Sequence, residues 1–424
     1  MNKHCKNILR FPRRIFFLTA MAIATPLCAQ PLPPRISLIY GGIAGFPYGN
    51  LLLGPNGVLY GTTYAGGYGG GTAYELAPPT SSGGTWTETV LYEFHTDRGK
   101  YPQSALIMDK TGNLYGTTLE GGPYEGGVVF QLIPPPVSGQ LWTERILHSF
   151  SRSGDGYYPL AGLIFGPDGS LYGVTEDGGA FDEGTVFQLT PPTTPGAAWT
   201  ETLLYSFGTQ PGDGNTPAAT LAMDKRGYLY GTTSGGTFGC ANAGCGTVFQ
   251  LAPPSAAGEP WTETVIYSFT GSSDGDGANP TSVTLGSDGN LYGATSIGGT
   301  ATACNTLGCG TVFQLALPAM AGEAGTETVL YSFTGVNGDG VEPLSGVIVG
   351  KNGTLYGTTI FGGTLPADSG TVYWLTPPAT SGGTWTETVL PLSGSETEPA
   401  AGLTFGTGVL YGVGESGGVF QITP

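Results

Sequence analysis

Four cysteines stand in two pairs that share one spacing. Cys240 and Cys245 lie five positions apart in "GCANAGCG", and Cys304 and Cys309 lie five positions apart in "CNTLGC". Paired cysteines serve as metal ligands, as redox-active thiols or as structural disulfides. A zinc site takes four converging ligands, commonly from pairs of closer spacing, whereas each cysteine here has its partner nearby. The pattern therefore favours two local disulfides, Cys240–Cys245 and Cys304–Cys309, and we expect no metal.

Aromatic and acidic residues recur in glycine-rich segments that separate strand-like runs. Aromatic rings stack on the apolar faces of sugars, and carboxylates accept hydrogen bonds from sugar hydroxyl groups. The pattern suits a carbohydrate-binding surface, but a ring in such a loop more often packs on the loop itself, and both interpretations stay open. The candidate ligand-binding residues are Tyr64, Tyr68, Tyr124, Phe181, Phe238, Phe361, Glu342 and Glu398.

Four segments share a Gly-Asp-Gly unit followed closely by proline, as in "GDGYYP" and "GDGNTP". Their aspartates are Asp155, Asp213, Asp276 and Asp339. The units lack the dense alternating oxygen ligands of a calcium-binding loop. An aspartate in this position most simply closes an Asx turn, so we predict a structural role and leave calcium binding as the alternative.

The elements that carry these residues are internal repeats. Leu-Tyr-Gly occurs seven times at intervals of 55 to 64 residues, starting at Leu59, Leu114, Leu171, Leu229, Leu291, Leu355 and Leu410. Each copy is preceded by a run of the type "PxxxLxxxxxG" and followed by segments such as "GTVFQL" and "WTETVIYSF". These runs are short, rich in Val, Thr, Tyr and Phe, and bounded by turn residues, which is typical of β-strands. Four strands in each of seven units predict an all-β, seven-bladed β-propeller.

The two ends of the chain fit a closed ring. Residues 35–40, "RISLIY", resemble the Trp-Thr-Glu-Thr strand without the rest of its blade, and the chain ends in "GVFQITP", a third strand without a fourth. We predict that strand 35–40 completes the last blade and removes the open edges of the ring. The loops between second and third strands then emerge on the same face as the loops that lead to the next blade. We call it the loop face, and the candidate residues concentrate there.

The combination of "LYGTT", "GTVFQLTPP" and "LYSF" resembles the Gloeo/Verruco (GloVer) tandem repeat of exported bacterial proteins. The resemblance covers nearly the whole chain after residue 29. It implies a β-propeller-like, extracytoplasmic repeat protein of a kind often associated with the cell surface. The family brings no catalytic residues that can be carried over to this chain.

The N-terminus predicts export. A basic segment ending at Arg14 precedes an apolar run at 15–27 and then "CAQP", the layout of a secretory signal. We predict a signal peptide at 1–29 and one propeller domain at 30–424, located in the periplasm, on the cell surface or outside the cell. Cleavage after Ala24 and lipidation at Cys28 are the alternatives. No later run has the length and apolarity of a membrane-spanning helix.

The charge of the protein excludes two classes of partner. The formal net charge is −17, and residues 30–424 carry nine basic residues against 31 acidic ones. Such a surface repels phosphate backbones and anionic lipids, so we expect neither a nucleic-acid nor a membrane partner. The partners that we expect are glycans or envelope proteins, bound by a monomer.

Catalytic groups are scarce in the sequence. Of the two histidines after residue 29, His148 replaces the tyrosine of a strand, which indicates a core substitution. The positions expected to face the central channel are small and neutral: Gln103, Ser104, Ala161, Gly162, Ala218, Ala219, Ser282, Ser345, Gly346 and Ala401. No carboxylate pair, histidine cluster or arginine triad stands where acid–base chemistry needs one, so we predict no catalytic residues and no cofactor.

The sequence therefore predicts a non-catalytic protein, either a recognition module that binds carbohydrate through its loop face or a scaffold. A scaffold needs no special site, so binding of a soluble glycan distinguishes the two roles. The alternative is a carboxylate-based hydrolase or lyase acting on polysaccharide, because acidic residues distant in sequence can meet across a ring.

Overall fold

The structure is a computed structural model that describes residues 33–424, apart from residues 82, 138, 153, 195, 211, 237–239, 241–243, 257, 272–274, 305–306, 319–321, 364–368, 381, 394–397 and 400. The predicted signal peptide at 1–29 and the candidate residue Phe238 lie outside the described residues, and both stay predictions. No helix among the described residues is long and apolar enough to cross a membrane.

The described strands form seven four-stranded antiparallel sheets, the blades of a β-propeller. In chain order the strands are β1 (Arg35–Tyr40), β2 (Leu52–Leu53), β3 (Leu59–Thr63), β4 (Thr72–Ala77), β5 (Thr87–Glu93), β6 (Ile107–Met108), β7 (Leu114–Thr118), β8 (Val128–Ile133), β9 (Thr143–Ser149), β10 (Gly156–Tyr157), β11 (Ile164–Phe165), β12 (Leu171–Thr175), β13 (Asp177–Gly178), β14 (Thr185–Thr190), β15 (Thr200–Ser206), β16 (Ala222–Met223), β17 (Leu229–Thr233), β18 (Thr247–Ala252), β19 (Thr262–Ser268), β20 (Gly277–Leu285), β21 (Leu291–Gly298), β22 (Thr311–Ala316), β23 (Thr326–Ser332), β24 (Gly340–Val341), β25 (Ile348–Val349), β26 (Leu355–Thr359), β27 (Phe361–Gly362), β28 (Thr371–Thr376), β29 (Thr386–Pro391), β30 (Thr404–Phe405), β31 (Leu410–Val413) and β32 (Val419–Thr423). One turn of 3-10 helix spans Pro55–Gly57.

From the innermost strand outwards, blades 1 to 7 have the orders β2-β3-β4-β5, β6-β7-β8-β9, β11-β12-β14-β15, β16-β17-β18-β19, β20-β21-β22-β23, β25-β26-β28-β29 and β30-β31-β32-β1. Strands β10, β13, β24 and β27 form two separate two-stranded ribbons. The seven-bladed, all-β architecture predicted from the repeats is confirmed.

The N-terminal strand closes the ring. Strand β1 pairs antiparallel with β32, with Arg35 opposite Thr423 and Ile36 opposite Ile422. Ile36 also packs against a buried cluster that contains Phe420 and Ile422. The last blade therefore takes three strands from the C-terminus and one from the N-terminus, as the sequence predicted.

The Leu-Tyr-Gly strand is buried on both faces, which explains its recurrence. All five residues of β12 are buried. Gly173 lies opposite Phe187 of β14, and a Cβ atom at Gly173 would lie 2.6 Å from the Phe187 ring. Only a residue without a side chain leaves room for the aromatic ring of the neighbouring strand.

Aromatic contacts also join successive blades. Phe207 at the end of blade 3 meets Phe249 of blade 4 edge to face, with ring centroids 5.2 Å apart. The tyrosine of Leu-Tyr-Gly reaches the next blade as well, since the rings of Tyr172 and Trp261 lie 6.4 Å apart. These seams fix the positions of the blades, and hence of the loops that the blades carry.

Candidate functional site

Two sets of loops pair with each other on one face of the propeller. In blade 3, the loop that enters the blade forms β10, which pairs with β13 in the loop between the second and third strands. Blade 6 repeats this arrangement with β24 and β27. In blade 4 an isolated bridge joins Asn215 to Gly235. Because the two loop sets contact each other, they share one face, as predicted for the loop face.

Seven residues form a rim around the channel entrance, each immediately before a proline that leads into the channel wall. These rim residues have left-handed backbone conformations, with φ between 54° and 63°: Phe46, Tyr101, Tyr158, Thr216, Asn279, Glu342 and Glu398. This conformation costs a residue with a side chain about 1–2 kcal/mol, a cost that glycine avoids. The rim side chains are thus held in strained positions, which is frequent at functional sites.

The central channel contains a cavity of about 510 Å³. Nine of the ten positions predicted to face the channel line this cavity, from Gln103 in blade 2 to Gly346 in blade 6. The tenth position, Ala401, is buried against the core cluster between blades 7 and 1 instead. The lining residues that the structure describes include no acidic or basic side chain, so the described wall offers hydrogen-bonding groups rather than acid–base groups.

Four aromatic residues form a continuous arc at the rim of blades 1 and 2. The rings of Phe46 and Tyr48 stack with centroids 6.3 Å apart, and Tyr48 contacts Tyr64 at 5.8 Å. Tyr64 in turn stacks on Tyr101 at 4.6 Å. Phe46 is 49% exposed, and the three tyrosines are half-buried. We call these four residues the aromatic arc.

Two glutamates of blade 7 adjoin the aromatic arc, Glu415 through its side chain and Glu398 through its backbone. The Tyr48 hydroxyl group donates a 3.0 Å hydrogen bond to Glu415 Oε1, and the Glu415 backbone N–H donates to the Glu398 carbonyl oxygen at 3.1 Å. Burial and the hydrogen bond to Glu415 raise the pKa of Tyr48 to about 12, so Tyr48 remains a donor at neutral pH. We call Glu398 and Glu415 the acidic pair.

The sequence of this chain matches a known repeat family. The model of the Gloeobacter/Verrucomicrobia repeat matches residues 39–244, 143–338 and 237–423, three overlapping stretches that together span the described propeller. The chain belongs to the Gloeobacter/Verrucomicrobia repeat family. The resemblance inferred from the repeated motifs is therefore confirmed. None of the curated proteins matches this repeat protein in sequence.

Two solved structures of virginiamycin B lyase from Staphylococcus aureus are similar to this repeat protein in fold. The selenomethionine-substituted lyase is 13% identical, with a TM-score of 0.52 over 92% of this chain and 99% of the lyase chain. A catalytically inactive variant with quinupristin is 15% identical, with a TM-score of 0.54 over 92% of this chain and 100% of the lyase chain. At this level of identity the similarity shows the fold alone.

A second cavity on the loop face of the repeat protein lies between blades 5 and 6 and measures about 830 Å³. Its lining includes Leu307, Val336 and Phe361, which are 59%, 48% and 38% exposed. Glu342 and Cys304 also line it. We call this cavity the blade 5/6 groove. Two predicted ligand-binding residues, Glu342 and Phe361, therefore share one cavity.

The two predicted disulfides are present, Cys240–Cys245 in blade 4 and Cys304–Cys309 in blade 5. The second disulfide packs directly on the loop that leads to blade 6. A Cβ atom at Gly335 would lie 2.7 Å from Cys304 Sγ and 3.2 Å from Cys309 Sγ. The disulfide therefore supports one wall of the blade 5/6 groove.

The remaining predicted aromatic residues lie apart from the aromatic arc and from the groove. Tyr68, which is 76% exposed, stacks on His95 with ring centroids 4.6 Å apart. Tyr124 and Phe181 are 64% and 56% exposed, and each stands on the loop of a different blade. A role for these three residues in binding stays a prediction.

Sequence reasoning did not single out four members of the site: Phe46, Tyr48, Tyr101 and Glu415. The sequence does carry a signal for Phe46 and Tyr101, because the rim residue of every blade directly precedes a proline, as in "FPYGN" and "YPQSA". No local signal marks Tyr48 or Glu415, since their contact joins the two ends of the chain.

The aspartates of the Gly-Asp-Gly units stabilise loops. Asp276 Oδ1 accepts a 2.6 Å hydrogen bond from the Gly277 N–H, and Oδ2 accepts one from the Tyr267 hydroxyl group at 3.0 Å. In blade 2, His148 takes the place of that tyrosine, with Nε2 3.1 Å from Asp155 Oδ2. The predicted structural role is therefore supported, but the carboxylates of Asp155, Asp276 and Asp339 accept from the N–H of the next residue rather than closing an Asx turn. Among the described residues, no group of three or more His, Cys, Asp or Glu could hold a metal ion.

Buried carboxylates lie between the outermost strands of neighbouring blades. The Tyr331 hydroxyl group of blade 5 lies 2.6 Å from Glu387 Oε2 of blade 6 and 3.1 Å from Asp339 Oδ2. Burial, together with a nearby aspartate, raises the pKa of Glu263 to about 8 and those of Glu327 and Glu387 to about 7. For Glu387 the hydrogen bond from Tyr331 acts in the opposite direction. We call Glu263, Glu327 and Glu387 the seam glutamates.

The seam between blades 6 and 7 lacks both the glutamate and the tyrosine that meet at other seams. Ile36 of β1 takes the place of the seam glutamate, and Leu390 of β29 takes the place of the tyrosine. Both pack against one apolar cluster. Because the two polar residues are replaced together, the seam glutamates belong to the packing of blades against each other rather than to the rim.

Proposed function

We propose that this protein is an exported recognition module that binds carbohydrate at the rim of its loop face, through the aromatic arc and the acidic pair. The observation that carries the proposal is the hydrogen bond from Tyr48 to Glu415. It places the Glu415 carboxylate beside four aromatic rings at the entrance of the channel, and the Glu398 backbone adjoins Glu415.

The chemistry of this arrangement suits a sugar chain. The rings of the aromatic arc pack on each other but remain partly exposed, Phe46 by 49%, so the arc leaves apolar ring surface for contact with a sugar chain. The acidic pair accepts hydrogen bonds from hydroxyl groups, and bonds to a charged acceptor are the stronger kind. The same carboxylates and the net charge of −17 disfavour uronic-acid and sulfated chains. The ligand that fits best is a neutral polysaccharide.

Export is supported by two independent features. The N-terminal sequence has the layout of a secretory signal. The two disulfides are of a kind that persists in oxidising compartments. We therefore place the protein in the periplasm, on the cell surface or outside the cell, where envelope and environmental glycans are present.

A glycan and polysaccharide screen of residues 30–424 tests this function. The matched variants are Tyr64→Ala with Tyr101→Ala, which remove two rings of the arc, and Tyr124→Ala, which removes an exposed ring elsewhere on the loop face. Binding of a neutral glycan that only the arc variant loses supports the proposal. The absence of any glycan binding contradicts it and favours a scaffold role. Newly formed sugar chain ends in the same samples would instead favour the polysaccharide-active enzyme.

A further inference from the structure

The blade 5/6 groove combines an apolar lining with a volume suited to a ligand. Its volume of about 830 Å³ falls within the range of small-molecule sites, roughly 300–1,000 Å³. Leu307, Val336 and Phe361 expose large parts of their side chains on its walls. Scattered exposed apolar residues are common on proteins, but three that line one concave surface indicate a binding site.

The carboxylate of Glu342 in the groove has no partner among the residues that the structure describes. Glu342 is half-buried, and among the described residues none donates a hydrogen bond to its carboxylate or forms an ion pair with it. It is also the one acidic or basic residue among the described lining residues. A half-buried carboxylate is most stable beside a cation or a strong donor, and the described residues supply none to Glu342.

The backbone around Glu342 is held in place from both sides. The Glu342 N–H donates a 3.0 Å hydrogen bond to the Cys309 carbonyl oxygen, and the Ile360 N–H donates to the Glu342 carbonyl oxygen at 3.2 Å. The preceding residue, Val341, pairs with Phe361 in the β24–β27 ribbon. The backbones that carry Glu342 and Phe361 are therefore fixed relative to each other, which lowers the entropic cost of binding.

We propose that the blade 5/6 groove binds an organic ammonium group carried on an apolar stem. The stem packs against Leu307, Val336 and Phe361, and the ammonium group forms a charge-assisted hydrogen bond to Glu342. The aromatic ring of Phe361 adds a favourable surface for the cation. An anionic compound of the same shape is repelled by Glu342, and a neutral one gains only the apolar contacts.

Benzylammonium, benzyl alcohol and benzoate form a matched set of probes, because they share a ring and differ in charge. Ligand-observed NMR titration of the purified protein measures the three affinities. A compound of this size binds with a Kd of about 1 mM when it fills such a site. We expect benzylammonium to bind most tightly, benzyl alcohol about tenfold more weakly, and benzoate not measurably.

Glu342→Gln keeps the shape of the side chain and removes its charge. We expect it to weaken benzylammonium binding about tenfold and to leave benzyl alcohol binding unchanged. Glu125→Gln is the matched control, because Glu125 is also a glutamate with a left-handed backbone conformation but lies outside the groove. Leu307→Ser, at an exposed position, should weaken both probes without unfolding the protein.

Two results would overturn the proposal. One is the absence of saturable benzylammonium binding to the unmodified protein. The other is equal benzylammonium affinity in the unmodified protein and in Glu342→Gln. Neither result depends on glycan binding, because the aromatic arc and the acidic pair contribute no residue to the groove.

Discussion

The Tyr48 hydroxyl group of blade 1 donates a hydrogen bond to Glu415 of blade 7, a residue 367 positions away in the chain. The two residues meet because β1 pairs with β32 and thereby brings the first blade beside the last. The aromatic arc and the acidic pair are therefore joined only in the closed ring. The proposed carbohydrate site depends on the same pairing that completes the fold.

Tyr48→Phe should weaken glycan binding and leave the fold intact. The variant keeps the ring between Phe46 and Tyr64 but removes the donor that orients Glu415. Since a hydrogen bond to a charged group contributes about 1.5–3 kcal/mol, we expect about a tenfold loss of affinity. Calorimetric titration with a glycan found in the screen checks this. Tyr124→Phe is the control. Unchanged glycan affinity in Tyr48→Phe would contradict a joint role of the aromatic arc and the acidic pair in binding.

Removal of residues 30–41 should destabilise the whole propeller. Without β1, strand β32 becomes an open edge and the apolar contacts of Ile36 are lost. We expect a Tm lower by several degrees and an increased tendency to aggregate. Thermal unfolding followed by circular dichroism measures this, with removal of residues 30–33 alone as the control. If the longer truncation melts like the shorter one, β1 does not stabilise the ring.

Stability should rise as the pH falls from 8 to 5. The folded-state pKa values of the seam glutamates, about 8 for Glu263 and about 7 for Glu327 and Glu387, lie above the ordinary value of 4.5. Their protonated form is therefore favoured in the folded state. This contribution is fully present below pH 4.5 and is lost as the pH rises through 7 to 8. Thermal unfolding across this range should give a Tm several degrees higher at pH 5 than at pH 8.

Glu263→Gln provides the matched test of this pH dependence. Glutamine resembles the protonated acid, so the variant should be more stable than the unmodified protein at pH 8 and should vary less with pH. Glu259→Gln, in an exposed loop of the same blade, should change neither property. A Tm of the unmodified protein that is lower at pH 5 than at pH 8 would show that protonation of the seam glutamates does not control the pH dependence of stability.

The two disulfides should contribute equally to stability, whereas only Cys304–Cys309 should contribute to benzylammonium binding. Replacing both Cys304 and Cys309 by serine, or both Cys240 and Cys245, should lower the free energy of unfolding by about 2 kcal/mol in each case. Only the first replacement removes the support of Gly335 beside the blade 5/6 groove, so only it should weaken benzylammonium binding. Equal effects of the two double variants on that affinity would show that the disulfide does not shape the groove.

The fold could be predicted from the sequence because its determinants are local and repeated. Each Leu-Tyr-Gly copy marks one buried strand, and Gly173 shows why its glycine recurs, since the Phe187 ring occupies the space of a side chain. The disulfides could also be predicted from the sequence, because each cysteine lies five positions from its partner. Composition and spacing are sufficient for features of this kind.

The candidate site could be predicted only in part. Tyr64 belongs to the aromatic arc, Glu398 to the rim, and Glu342 and Phe361 to the groove. The sequence indicates all four because their residue types suit binding. Composition does not indicate where a loop side chain lies, so Tyr68 carries the same signal and yet stacks on His95. Contacts between distant repeats, such as Tyr48 with Glu415, depend on closure of the ring and leave no trace in local sequence.

The most direct test of the central claim compares the affinities of two single-ring variants for one neutral glycan. Tyr101→Ala removes the ring at the end of the aromatic arc, and Tyr124→Ala removes a more exposed ring outside it. Calorimetric titration of both variants and of the unmodified protein gives three values of Kd. A loss of about tenfold or more in Tyr101→Ala alone is the result we predict, since removal of a stacked ring costs on the order of 1–3 kcal/mol. Equal affinities in all three proteins would contradict carbohydrate recognition by the aromatic arc.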